Sequence, residues 1–144
     1  MSYRRIICLT EETVETLYLL GQEDRIVGVT GYAVRPARVR AEKPRVGAFT
    51  SADLPKILAL RPDLVLGFSD LQADIAAGLI RAGIEVHVFN QRDVADILRM
   101  IRNLGAMIGC PDQADALAAG YEARIAALQA VDRPQAPRVF IEEW

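Results

Sequence analysis

Residues 43–72 read KPRVGAFTSADLPKILALRPDLVLGFSDLQ, and the punctuation of this stretch decides the fold. Val46-Gly47 leads into Ala48-Phe49-Thr50, a loop with an aromatic tip. Asp53 stands ready to cap a helix. Pro55 falls in the first turn of that helix, where a missing N–H has no partner to lose. Leu54, Ile57, Leu58 and Leu60 supply its apolar face. Arg61-Pro62-Asp63 stops it, because a residue before proline is pushed out of the α region. Leu64-Val65-Leu66 is apolar without alternation, as expected of a strand covered on both faces. Gly67-Phe68-Ser69 ends the strand with a second aromatic at its carboxyl tip.

The same alternation extends outward in both directions. Arg5 to Leu9 is a strand, followed by Thr10 as a helix cap. A stripe of Val14, Leu17 and Tyr18 follows and ends at Gly21. Arg25 to Val29 is the next strand. It leaves through Thr30-Gly31-Tyr32 into a connection rich in proline and arginine. After the central stretch, Ser69 and Gln72 form an S-x-x-Q capping-box pattern. They open a helix with Leu71, Ile75 and Leu79 inward and Gly83 as its stop. Ile84 to Phe89 is a fourth strand, leaving through Asn90-Gln91. Asp93 caps a long helix striped with Val94, Ile97, Leu98, Ile101 and Leu104. Pro111 opens another helix to about Val131. Residues 133–137 are a linker, and Arg138 to Glu142 is expected as one more strand.

Strands alternating with helices predict parallel βαβ units. Right-handed crossovers place helices on both faces. The expected fold class is therefore α/β: a three-layer, Rossmann-like lobe with a mostly parallel sheet of four or five strands, followed by a long helix. In such sheets ligands bind beyond the carboxyl ends of the strands. That rule gathers Thr10, Glu11, Thr30, Tyr32, Phe68, Ser69 and Asn90 on one face, with Phe49 able to join them.

Composition narrows the function. The chain has 144 residues, a one-domain length. Apolar residues make up 51%, so a core can form, while aromatics are only 6%, so each aromatic at a loop is informative. A formal net charge of -2 gives nucleic acid or an anionic membrane no reason to bind. No run approaches the roughly 18 apolar residues of a membrane span.

Several chemistries fail on their residues. A dinucleotide fold needs a glycine-rich first turn, and here that turn is Thr10-Glu11-Glu12. A receiver-type phosphoacceptor needs a lysine after a later strand, and the two lysines are Lys43 and Lys56. His87 is the one histidine and falls inside a strand, so no histidine-based triad or metal site assembles. Cys8 and Cys110 lack metal or redox spacing. No catalytic residue and no cofactor is expected. Arg35, Arg38, Arg40, Lys43 and Arg45 form either a solvated loop or an attractor for an anion or a partner protein.

Three motifs carry a resemblance: GVTGYAVRP with Tyr32, RVGAFTSADL with Phe49, and DLVLGFSD with Phe68. In this order and spacing, from Arg5 to about Gly109, the chain resembles the first lobe of the substrate-binding proteins of ABC importers for cobalamin and iron–siderophores. The resemblance implies non-catalytic capture of a small metal chelate, a cobalamin-type corrinoid before an iron–siderophore or bare metal, and delivery to an ABC permease. It implies a lobe over residues 1–110 and a connecting helix over 111–132. A linker and the first strand of a truncated second lobe would occupy 133–144. Tyr32, Phe49 and Phe68 become the expected ligand walls, with Thr10, Glu11, Thr30, Ser69 and Asn90 as polar contacts. An open half-cleft is expected to self-associate.

The chain also departs from the family's pattern. The glutamate that many relatives use to dock on a permease is matched by Pro55. The tyrosine that heme receptors offer to iron is matched by Ala48 and Phe49. The family implies a periplasmic or cell-surface location. Arg4-Arg5, however, precedes only Ile6 to Leu9, too short for a leader core of about 7–15 residues. A leader outside these residues would reconcile the two. So would the other class of reading, a cytoplasmic α/β regulatory or enzyme domain that keeps only this lobe.

Overall fold

The computed structural model describes residues 3–131 and 137–142. Four strands form one fully parallel sheet: β1 (Ile6–Cys8), β2 (Ile26–Val29), β3 (Leu64–Phe68) and β4 (Val86–Phe89), in the order β2-β1-β3-β4. Six helices connect and flank them: α1 (Glu11–Leu19), α2 (Val39–Glu42), α3 (Leu54–Ala59), α4 (Ala73–Arg81), α5 (Val94–Ile108) and α6 (Pro111–Gln129). Residues 44–47 lie along the outer edge of β2. The Val29 N–H donates to the Pro44 carbonyl (3.0 Å), and the Val46 N–H donates to the Val29 carbonyl (2.9 Å). They serve as a short fifth rung.

The two faces of the sheet carry separate cores. Ile6, Cys8, Leu64 and Leu66 face α1, α5 and α6 and pack with Val14, Leu17, Ile101, Leu104 and Ile108. Ile7, Leu9 and Val65 face the other way, onto Ile57 of α3 and Leu79 of α4. This is the three-layer arrangement expected of an unalternating apolar strand: β1 and β3 are central and covered on both sides. Helix ends follow their local chemistry. Asp53 accepts from the Lys56 N–H (3.0 Å) and Asp93 from the Asp96 N–H (2.7 Å), while Gly109 closes α5 at φ +80°. At the turn between α5 and α6, a Cβ on Gly105 would lie 2.1 Å from the Ala114 Cβ, so only glycine lets those helices meet.

Several expectations need correction. Thr10 occupies the cap position of α1, but its hydroxyl makes no capping bond and pairs with Thr13 instead. The S-x-x-Q pattern is not a capping box. The Ser69 hydroxyl accepts from the Leu71 N–H, but the Gln72 side chain turns into the protein, and residues 70–72 form a 3-10 turn before α4 starts at Ala73. That offset rotates Leu71 outward, where it is 62% exposed. Leu58 also faces solvent, while Leu54, Ile57 and Leu60 of the same expected face pack toward the sheet. Val94 and Ile97 are half-open and line an apolar groove of about 390 Å³ between α1, α5 and α6. Residues 137–142 form no strand, and Phe140 is 87% exposed, since no neighbouring strand among the described residues receives their hydrogen bonds. The expected linker at 133–137 lies mostly outside the described residues.

Candidate ligand-binding face

The carboxyl ends of β1 and β2 open onto a cavity of about 400 Å³ lined by Thr10, Glu11, Glu12, Thr30, Tyr32, Phe49 and Thr50. Parallel strands deliver their exit loops to this one edge, as the topology requires. Tyr32 is 64% exposed and projects from the loop after β2. Phe49 comes from the loop between the edge segment and α3. Its position is fixed from below: Gly31 N–H donates to the Gly47 carbonyl (2.7 Å), Ala48 N–H to Ser51 (2.9 Å) and Asp53 N–H to Val46 (2.8 Å). Gly47 sits at φ +157°, where a Cβ would lie 2.2 Å from the Ser51 oxygen, so this tight loop requires glycine.

Phe68 stands beside Phe49, with ring centroids 6.4 Å apart and planes tilted by 41°. That spacing is within the range of favourable aromatic pairs. The Arg92 guanidinium covers the Phe68 ring at 5.5 Å and meets the Asp70 carboxylate at 3.5 Å. The next residue, Ser69, is held at φ +57°, ψ -179°, a conformation that side chains rarely adopt and one that collects at functional sites.

The polar residues expected at this face are mostly occupied with building it. Both oxygens of Glu11 accept backbone N–H groups, from Val34 (2.9 Å) and Arg35 (2.8 Å), so this carboxylate fastens the loop that carries Tyr32. Thr30 is buried, and its hydroxyl accepts from the Tyr32 N–H (3.3 Å). Thr10 and Ser69 are buried too. Asn90 is exposed, directly follows the Phe68–Phe89 rung of the sheet, and lines a separate depression with His87, Gln91 and Asp96. Burial lowers the pKa of His87, which leans on Phe89 with a centroid distance of 4.3 Å.

The basic stretch is largely paired. Arg38 contacts Glu23 (3.0 Å) and Glu42 (3.7 Å) and lies over the Tyr18 ring (5.0 Å). Burial first, and the hydrogen bond to Glu42 second, push the Tyr18 hydroxyl well above its ordinary pKa. Lys43 donates to the Glu23 carbonyl (2.7 Å). These groups hold a loop in place and leave Arg38 and Lys43 little freedom to recruit an anion.

Three contributors had no clear signal in the sequence. Gln72 reaches the backbone of three segments, Gln91 donates to Glu12 (2.9 Å), and Arg92 covers Phe68. Each is a long-range partner, and only the S-x-x-Q pattern drew attention to Gln72, for the wrong reason. Among the described residues no group of His, Cys, Asp and Glu is arranged to hold a metal. None of the helices there is long and apolar enough to cross a membrane.

An all-parallel lobe with aromatics beside an open cavity at its strand ends has the layout in which α/β folds place ligand sites. The family model for periplasmic binding proteins matches residues 6–141, and the chain belongs to that family. It is 28% identical over 147 residues to the ABC transporter substrate-binding lipoprotein YvrC of Bacillus subtilis, covering 96% of this chain and 46% of that one. It is 26% identical to the vitamin B12-binding protein of Pectobacterium atrosepticum, covering 96% and 52%. The crystal structure of a periplasmic heme binding protein from Pseudomonas aeruginosa superposes with a TM-score of 0.81 at 25% identity, covering 88% of this chain and 46% of that one. The chain thus spans about half the length of the relatives it matches.

Proposed function

We propose that this chain is the first ligand-binding lobe of an ABC-importer receptor and that it captures a flat metal chelate of the corrinoid class without chemical conversion. The observation that carries the reading is the aromatic face itself. Tyr32, Phe49 and Phe68 stand at or beside one open cavity, while the sheet's core is filled by Ile, Leu and Val on both sides. Aromatic walls suit a large, flat, weakly polar ring.

Two features favour a corrinoid over an iron porphyrin. Ala48 and Phe49, matched to the tyrosine of heme receptors, offer no axial donor and leave Tyr32 as the one phenol on the cavity wall, whereas a corrinoid brings its own ligands. The charged lining residues of the cavity are the carboxylates Glu11 and Glu12, which repel a porphyrin's carboxylates and tolerate the amides of a corrin rim. Arg92 is already matched by Asp70. Residues 1–110 would form the lobe, 111–132 the helix crossing to a second lobe, and 133–144 the entry to it. The relatives named for vitamin B12 and heme support a metal chelate and a periplasmic setting. Docking to a permease through α3 has weak support, because Pro55 occupies the glutamate position and the Asp53 carboxylate is engaged as the helix cap.

The test is a titration with cyanocobalamin and, separately, hemin, followed by the visible spectrum of the ligand and the fluorescence of the protein. Phe49→Ala and Phe68→Ala are each expected to weaken cyanocobalamin binding by roughly tenfold, the scale of one aromatic contact. Parent-like affinity in both variants sinks the aromatic wall. Tighter binding of hemin than of cyanocobalamin overturns the corrinoid preference.

A further inference from the structure

Gln72 is the one amide among the buried polar side chains of the described residues, and it is 1% exposed. Its Nε2 donates to the Phe49 carbonyl (2.8 Å) and the Leu9 carbonyl (3.2 Å), and its Oε1 accepts from the Phe68 N–H (2.9 Å). An amide offers two N–H donors and a carbonyl oxygen, and here both ends are engaged. The three backbone groups come from three separate places: the end of β1, the tip of the loop before α3, and the end of β3. Two of them belong to Phe49 and Phe68 themselves.

Packing alone does not call for glutamine at this position. A leucine or methionine would fill the volume without the cost of burying an amide. The surroundings are shaped around the amide instead. A Cβ at Gly67 would stand 3.0 Å from Gln72 Oε1, so glycine leaves room for it. The unusual backbone of Ser69 turns the chain so that Gln72 passes beneath the two phenylalanines while Leu71 turns out to solvent.

We infer that Gln72 is a positioning residue of the ligand face: by holding the backbone of Phe49 and of Phe68 on one side chain, it sets the 6.4 Å spacing of the two rings and through it the affinity for a flat ligand. This rests on the reading of that face as a ligand wall. Gln72 touches no ligand and acts through the phenylalanines.

The experiment compares the parent with Gln72→Met and Gln72→Glu. Methionine keeps the length and removes every hydrogen bond. Glutamate keeps the shape and the acceptor for Phe68 but not the amide N–H groups that hold Phe49, and it replaces methionine if that variant does not fold. Each is crossed with Phe49→Ala, using cyanocobalamin as the probe. In the parent background Phe49→Ala should cost roughly tenfold in Kd, and in the Gln72→Met background less than about threefold, because the ring is already misplaced. A merely structural glutamine would lower the melting temperature and leave the two effects multiplicative, which overturns the inference. A readout without ligand separates this from the function proposed above. NMR cross-peaks between the Phe49 and Phe68 rings should vanish in Gln72→Met, and their survival overturns the positioning role. If Phe49→Ala leaves cyanocobalamin binding unchanged while those cross-peaks vanish in Gln72→Met, the ligand reading has failed and Gln72 still positions the rings.

Discussion

The interior of the sheet and the face at its carboxyl end are built on opposite principles. In the interior, Ile6, Ile7, Leu64, Val65 and Leu66 are fully buried, and each strand's backbone is satisfied by its immediate neighbours in a parallel ladder. At the carboxyl end Tyr32 is exposed and Phe49 and Phe68 are half-buried, and polar side chains satisfy the backbone: the half-buried Glu11 for Val34 and Arg35, the buried Gln72 for Leu9, Phe49 and Phe68. The interior is held by area, which is non-directional. The face is held by hydrogen bonds, which fix positions. A rigid ladder can therefore present loops whose geometry is set one bond at a time.

This contrast predicts a ranking. The largest effect belongs to the interior. Leu66→Ala should cost about 3 kcal/mol of global stability, since it opens a cavity where the sheet is covered on both sides. Denaturant unfolding checks it, and the Cys8 thiol gives an independent report. Burial pushes that thiol up to about 12, so it is protonated and unreactive at neutral pH in the folded protein. Its modification rate should follow global unfolding and rise in Leu66→Ala.

A smaller effect belongs to the face. Gly47→Ala forces a Cβ into the Ser51 carbonyl and an uncommon φ on alanine, with an expected cost of about 1–2 kcal/mol. Its main consequence should be exchange of the Gly31 and Ala48 amides, which the loop protects, with Cys8 still shielded. Equal loss of Cys8 protection in both variants would mean that face and interior unfold as one unit.

The smallest effect belongs to the surface. Arg102 bridges α5 to Asp115 (3.1 Å) and Glu122 (3.0 Å) of α6. Both acids are half exposed or more, so Arg102→Ala should change stability by less than about 1 kcal/mol. A larger loss in thermal melts would show that the helix pair depends on this pairing and not on the Gly105–Ala114 contact.

Which parts were legible follows from the same physics. The strands Leu64–Phe68 and Ile26–Val29, the caps Asp53 and Asp93 and the glycine stops were readable because each depends on residues within one turn or one rung. The 3-10 turn at residues 70–72 was missed because Ser69 and Gln72 fit two local patterns, and a distant partner chose between them. The outward rotation of Leu71, Val94 and Ile97 was missed for a related reason: periodicity gives a stripe, but not how much of it a neighbour covers. Tyr32, Phe49 and Phe68 were legible as aromatics at loop tips. Asn90 follows the Phe68–Phe89 rung, beside Phe68 and across the sheet from Tyr32, which leaves from β2 at the opposite edge.

The sequence by itself determined the four strands with their main connecting helices, the parallel sheet and the two-sided apolar core, which rest on local pattern and on general rules of chain connection, and its three motifs carried the resemblance to the family. Only the tertiary structure decided that Glu11 is a loop fastener, that Arg38 and Lys43 are already partnered, and that Gln72 joins three segments beneath the aromatic face. Those roles depend on hydrogen-bond directions between residues 15 or more positions apart, and linear order carries no record of direction.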